Sequence, residues 1–273
     1  MLLSNILLTL GVAALSLGLR TVRHPWVQKL GAIGILVASY LAGHLLTGSW
    51  VFGLVCALSW FFLPWLDLLT RIRKLSLPLE RPLVHTPPPN AETFPELREL
   101  TADLEDEGFE HVDDMGWQWE EYRQFFRIFH KADERAQAAI CLVEQHEVSF
   151  YFLTISSRGK DGTLWTTWNY PFPYSLKLVP QWRVNRPGAE QTFFELMESH
   201  RHWLRVKGVA QTSLQEIDPE AIQAEIQRDL QTQVTHNLNE GVLVRIATGE
   251  VQYTWRGLVF LWVQFLRDLL RVS

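Results

Sequence analysis

LGAIGILVASYLAGHLLTGSWVFGLVCALSWFFLPWLDLLTRIRK, residues 30–74, contains one acid, Asp67, and no Lys or Arg before Arg71. Two apolar runs, 30–46 and 50–69, flank the break Thr47-Gly48-Ser49. Each approaches the roughly 17–25 residues that a helix rising ~1.5 Å per residue needs to cross the hydrocarbon of a bilayer. So short a break has no room for a domain and predicts a helical hairpin in lipid. Pro64, close to the end of the second of these runs, stands where backbone groups freed by a kink can still find water.

Toward the N-terminus, residues 2–19 form another uncharged stretch with no basic residue ahead of it. A cleaved secretory signal carries such residues, so this stretch predicts a third span. Arg20, Arg23, His24 and Lys29 follow it, and Arg71, Arg73 and Lys74 follow the run at 50–69. Short loops rich in Lys and Arg stay on the cytoplasmic side. Three spans put both basic clusters on that side, whereas two would separate them. The expected topology is N-terminus out and soluble part in, at a bacterial inner membrane. Small residues at four-residue spacing, Gly34, Ala38 and Ala42 in one run and Ala14 and Gly18 in another, let helix backbones approach closely. They fit packing within the hairpin or self-association through a dimer seam. His44, the one ionisable side chain well inside these runs, is read as snorkelling or bonding a neighbouring carbonyl rather than as a relay or haem ligand.

The 273-residue chain has a net charge of -5 and two cysteines, Cys56 and Cys141. Two thiols build neither a disulfide framework nor a four-ligand zinc site. No cluster of Lys and Arg occurs in the soluble part, which argues against a nucleic-acid surface. Twelve Trp, several near the predicted membrane edges, match the preference of amphipathic rings for headgroup depth.

Residues 1–70 thus form the expected transmembrane domain. Residues 71–91 read as a basic, Pro-rich linker, extended and fairly stiff, and 92–253 as one cytoplasmic domain. Leu97, Leu100 and Leu104 recur at helical spacing over 95–107, with Gly108 as the stop. Stretches rich in β-branched and aromatic residues at 109–119, 122–130, 136–145, 148–157 and 163–169 read as strands joined by short turns, one of them holding Asp161-Gly162. Short turns force antiparallel neighbours. A Pro-punctuated stretch at 171–187 and helices over 190–206 and 219–239 follow. The expected soluble fold is α+β, an antiparallel meander of about five strands with helices packed on one face and the other face free for a partner.

Residues 257–270 are apolar but short for a span, and crossing would carry Arg267 and Arg271 to the wrong side. Residues 254–273 therefore read as an interfacial amphipathic helix, returning to the membrane or packing on the spans, with Trp255, Arg256 and Trp262 at headgroup depth. A core helix of the soluble domain is the alternative.

His200, His202, Glu195 and Glu198 are the densest group of metal-ligand types, yet only Glu198 and His202 share a helix face. No metal site is expected there, and the helix face reads as solvated. His111, Asp113 and Asp114 lack a further ligand or nucleophile and read as polar groups at the surface. Thr166, Trp168 and Tyr170, from DGTLWTTWNY at 161–170, would line one sheet face with rings and hydrogen-bonding tips. They form a candidate ligand or partner face, or else plain cross-strand packing. The sequence holds no P-loop, G-x-G-x-x-G, G-x-S-x-G or H-E-x-x-H, and implies no catalytic residue or cofactor.

Membrane helices, the Gly108-Phe109 strand start, the Asp-Gly hairpin with its Thr166-Thr167 pair and a later His-containing helix give the chain a pattern that resembles uncharacterised bacterial multi-span membrane proteins with a cytoplasmic α+β domain. That resemblance implies no named function and carries no site residues. The expected function is a membrane-anchored binding or scaffold protein that recognises a protein, lipid headgroup or small ligand near the membrane. Membrane lipid and a protein or second copy are its expected partners. A membrane-associated enzyme and a structural subunit of a membrane complex are the alternatives.

Overall fold

A computed structural model describes residues 2–22, 24–145, 148–188 and 191–271. Arg23, the corner at 146–147, Glu190 and residues 272–273, which figure in the expectations above, lie outside them. The chain forms two compact units: one gathers 1–75, 173–175 and 253–273, the other 76–172 and 176–252. The second is thus inserted between parts of the first.

The first unit opens with α1 (Leu2–Arg20), α2 (Pro25–Thr47) and α3 (Trp50–Thr70). Gly48, at φ 69°, ends α2 in the left-handed conformation that glycine takes without strain. Close approach explains Gly34 but not Gly18, beside which there is open space. A Cβ on Gly34 would lie 2.1 Å from Ser16 Oγ of α1, and one on Gly43 would lie 2.7 Å from Cys56 Sγ of α3. Trp60 Nε1 donates to Ser39 Oγ at 2.8 Å, tying α3 to α2. Among the described residues, two helical stretches are long and apolar enough to cross a membrane, Lys29–Thr47 and Trp50–Lys74. This corrects the expectation of three. The apolar part of α1, Ile6–Arg20, is shorter, reaching about 22 Å at ~1.5 Å per residue against a hydrocarbon core of about 30 Å.

The inserted unit runs β1 (Leu77–Pro78), β2 (Val84–His85), α4 (Leu97–Asp106), β3 (Glu110–Trp119), β4 (Tyr122–Lys131), β5 (Ala136–Gln145), β6 (Val148–Arg158), β7 (Leu164–Trp168), β8 (Trp182–Asn185), α5 (Phe193–Val206), α6 (Ile222–Asn239), β9 (Leu243–Ala247) and β10 (Glu250–Tyr253). Its main sheet has seven strands in the order β2-β3-β4-β5-β6-β7-β8. The sheet is mixed, because β8 pairs with β7 in parallel while the other neighbours are antiparallel. A meander of about five strands is therefore corrected to a seven-stranded mixed sheet. The added edges come from Pro-rich sequence, where a short edge strand tolerates a missing donor. β1, β10 and β9 form a second, three-stranded sheet.

Alternation along the strands sends Phe125, Phe129, Ile140, Leu153 and Ile155 to one side, under Leu97 and Leu104 of α4 and Phe193, Leu196 and Met197 of α5. Met115, Phe126, Ile128, Cys141 and Phe152 face the other side, under Ile222, Ile226 and Leu230 of α6. Helices on one face only is thus also corrected. α6 carries apolar residues at four-residue spacing, 222, 226 and 230, among amides, so it has a stripe to bury.

β3 and β4 join through Glu120-Glu121, and Glu120 sits at φ 51°, where two-residue hairpins favour Asn or Gly. Glu120→Gly should raise stability by about 0.5–1 kcal/mol by relieving that strain. The check is the guanidinium midpoint of the far-UV circular dichroism in mild detergent. A lower midpoint would mean the turn stores nothing.

After β10, Gly257 N donates to Thr254 Oγ1 at 3.0 Å and starts α7 (Trp255–Arg271), which belongs to the first unit. There it lies on α3. Trp262 Nε1 donates to Phe61 O at 2.8 Å, and its ring sits 6.1 Å from Phe62 and 6.0 Å from Trp65, centroid to centroid. Pro64 removes from this turn of α3 the N–H that would reach Trp60 O. The indole bonds the next carbonyl, Phe61 O, and so ties α7 to α3 at the proline turn.

Candidate functional site

A register shift between His111 and Asp113 decides the polar side chains of β3. Alternation would keep His111 and Asp113 on one side, but the bulge parts them. His111 pairs across from Phe129 and Asp113 from Ile128, which face opposite cores. Asp114, 6% exposed, accepts from Arg127 Nε at 2.9 Å and Nη2 at 2.7 Å and meets His111 Nε2 at 3.1 Å. Arg127 Nη1 also donates to Thr101 Oγ1 of α4. Burial raises the Asp114 pKa, but the guanidinium and His111 outweigh it and hold the carboxyl below its ordinary value. Asp113 instead meets His85 Nδ1 at 2.8 Å.

α5 turns His200 inward to 1% exposure, so the expectation of a solvated face fails at this residue, while His202 is exposed. His200 Nδ1 lies 2.8 Å from Thr167 Oγ1 and Nε2 lies 3.3 Å from Ser157 Oγ. Burial pushes its pKa down to about 4, with Glu134 opposing and Arg201 adding to the shift. The ring is therefore neutral at pH 7, with one nitrogen donating and one accepting. A hydroxyl beside an imidazole suggests nucleophile and base. Here Ser157 and Thr167 are 2% and 0% exposed, sealed from any substrate, and the three groups satisfy one another. Neighbouring charges are likewise engaged: Arg201 holds Glu134 through two nitrogens and Glu198 through a third, and Arg158 meets Asp229 of α6 at 2.5 Å. Among the described residues no three His, Cys, Asp or Glu side chains are placed to hold a metal ion.

Of Thr166, Trp168 and Tyr170, the two rings meet each other, while the Thr166 hydroxyl is bonded within the sheet. Thr166 is buried, with Oγ1 2.8 Å from Ser156 Oγ. The Trp168 ring meets Phe152 edge-on and Tyr170 at a tilt, and Tyr170 also packs on Phe150 and Phe172. Burial raises the Tyr170 pKa, with Arg186 opposing. Their surfaces are largely taken up by one another. Of the residues expected at headgroup depth, Trp255 and Arg256 are exposed, and the Arg73 guanidinium stands 4.4 Å above the Trp255 ring. Trp262 is half-buried against α3.

A groove of about 830 Å³ runs along α6 in the inserted unit, walled by Glu80 and Pro82 on one strand of chain and by Val179 to Gln181 on another. α6 holds both of these strands by their backbones. Leu83 N donates to Gln227 Oε1 at 2.7 Å and Leu83 O accepts from Gln223 Nε2 at 3.0 Å. Lys177 N donates to Asn237 Oδ1 at 2.8 Å and Lys177 O accepts from Asn237 Nδ2 at 2.9 Å. In each case side-chain amides give an extended residue the donor and acceptor that a neighbouring β-strand would give. Gln231 and Thr235 between the two grips, and Asn239 just past the second, line the groove and make no side-chain hydrogen bond among the described residues.

Sequence reasoning passed over these residues. Their one signal was the density of Gln and Asn over 222–239, which reads as a merely polar helix until the chain strands beside it are known. No family model, no curated protein and no solved structure matches the chain.

Proposed function

We propose that this chain is a membrane-anchored recognition protein whose α+β unit takes up an extended peptide segment of a protein partner along α6. The anchor is the α2–α3 hairpin. With these two as the spans, the basic residues ahead of α2 and those behind α3 fall on the same side of the bilayer. Two spans therefore satisfy the cytoplasmic bias of Lys and Arg as well as three do, and the argument that two would separate the clusters does not hold for this pair. The inserted unit then belongs to the cytoplasmic side. α1, antiparallel to α2, would carry the N-terminus toward the opposite one.

The recognition reading is carried by the double backbone grip of α6. A helix that already holds Leu83 and Lys177 through amides presents further amide and hydroxyl groups in the groove between those strands. From Ala224 to Asn239 the groove residues cover about 22 Å of helix, the length of six or seven extended residues at ~3.4 Å each. Backbone pairing of this kind needs hydrogen-bond donors and acceptors, which the amides and hydroxyls of α6 supply, and Glu80, Arg228 and His236 add charged or titratable groups to the groove walls.

The test is panning of a random decapeptide display library on the full chain in nanodiscs. Enriched peptides should bind the wild type and lose at least about tenfold in affinity to Gln231→Ala combined with Thr235→Trp, about the effect of one hydrogen bond plus an obstructed groove. No enrichment over empty nanodiscs, or equal binding to the variant, would refute the reading.

A further inference from the structure

The three N-terminal helices are antiparallel neighbours, since Gly34 meets Ser16 and Gly53 meets Tyr40. Continuing the α2–α3 register from the Ser39–Trp60 bond brings Trp26 level with Arg73. The end of α1, the start of α2 and the end of α3 therefore lie at one end of this unit. The start of α7 joins them, because Arg73 covers the Trp255 ring at 4.4 Å. Arg20, Lys29, Arg71, Arg73, Lys74 and Arg256 all lie at this end, where Arg71 meets the Asp67 carboxylate at 3.3 Å. The opposite turn, Thr47-Gly48-Ser49, carries no charge.

Two of these cations are also mounted on rings. Lys29 stands 4.9 Å over the ring of Trp26, as Arg73 does over Trp255. Such pairing holds a cation beside an amphipathic ring that itself favours headgroup depth. We infer that this end of the helical unit binds anionic phospholipid headgroups, with Arg73, Lys74 and Trp255 as the principal contact. The inference rests on the anchor reading above. The ligand chemistry follows from charge: a phosphodiester headgroup with net negative charge complements the girdle, whereas a zwitterionic one brings its own cation.

The full chain is reconstituted in phosphatidylcholine bilayers holding a trace of spin-labelled phosphatidylglycerol or spin-labelled phosphatidylcholine, and the motionally restricted fraction is read. The anionic label should be held at least about fivefold more strongly, roughly the factor one basic residue supplies near an anionic surface. Arg73→Gln with Lys74→Gln should remove most of that preference and Trp255→Ala should weaken it, while Arg123→Gln, an exposed change in the other unit, should leave it intact. Equal restriction of the two labels, or an undiminished preference in the double variant, overturns the inference. So does loss of the preference on adding inorganic phosphate at constant ionic strength, which would make free phosphate the ligand. Release of the chain from membranes by alkaline carbonate would refute the anchor reading itself.

Discussion

Arg127→Met should destabilise the inserted unit by about 3–5 kcal/mol, because it strands a carboxylate in the sheet. Asp114 is buried and takes both of its strong bonds from that one guanidinium. His111 alone meets a single oxygen and cannot replace a fork that satisfies two. Removing both charges is a different matter. Asp114→Val with Arg127→Met should recover most of the loss, since apolar groups of similar size need no compensation in such a place. Guanidinium midpoints of the full chain in mild detergent, read by far-UV circular dichroism, compare the three proteins. A single variant that loses under about 1 kcal/mol would mean that the pair behaves like an exposed one.

The second large effect is acid lability centred on His200. Its pKa in the fold is about 4 against about 6.5 for a free histidine. Because the folded value is the lower one, the unfolded chain takes up the proton first. The stability contributed by the neutral ring is complete above pH 6.5 and drains away as pH falls toward 4. Over that window the loss approaches about 3 kcal/mol, at about 1.36 kcal/mol per pKa unit. Unfolding free energies measured from pH 7 to pH 4 should show the slope of one extra proton bound by the unfolded state, and His200→Gln should flatten it. A pH-independent stability across this range would show that the ring is protonated in place, and the hydroxyl pair Ser157 and Thr167 would then have to be reassigned as acceptors.

How much of this was legible beforehand differs from element to element. β3 through β7 lie within one residue of their expected ends, because runs rich in β-branched and aromatic residues are bounded by short, recognisable turns. The edges β2 and β8 were not legible. Two and four residues amid prolines carry no period, and they become strands only because β3 and β7 offer them an open edge. The bulge at β3 was equally invisible, and with it the pairing of Asp114 rather than Asp113 with His111. His200 looked solvated because Glu198 and His202 flank it, although Phe193, Leu196 and Met197 already marked the buried side of that helix. The grips of α6 on Leu83 and Lys177 join residues 140 and 60 positions apart, so no local pattern could announce them. Thr166, Trp168 and Tyr170 were expected to line one face, but sequence could not say that Phe150 and Phe152 would pack against the two rings.

The bond from Trp262 to Phe61 spans 201 residues, and this has a bearing on biogenesis. At a synthesis rate of about 5–20 residues per second, the ribosome needs roughly 10–40 s between making the acceptor and making the donor. During that interval the whole seven-stranded unit is translated, while α3 waits at its proline turn without its latch. The helical bundle is therefore begun first and completed last, and a nascent chain stalled before α7 would present that turn of α3 uncovered.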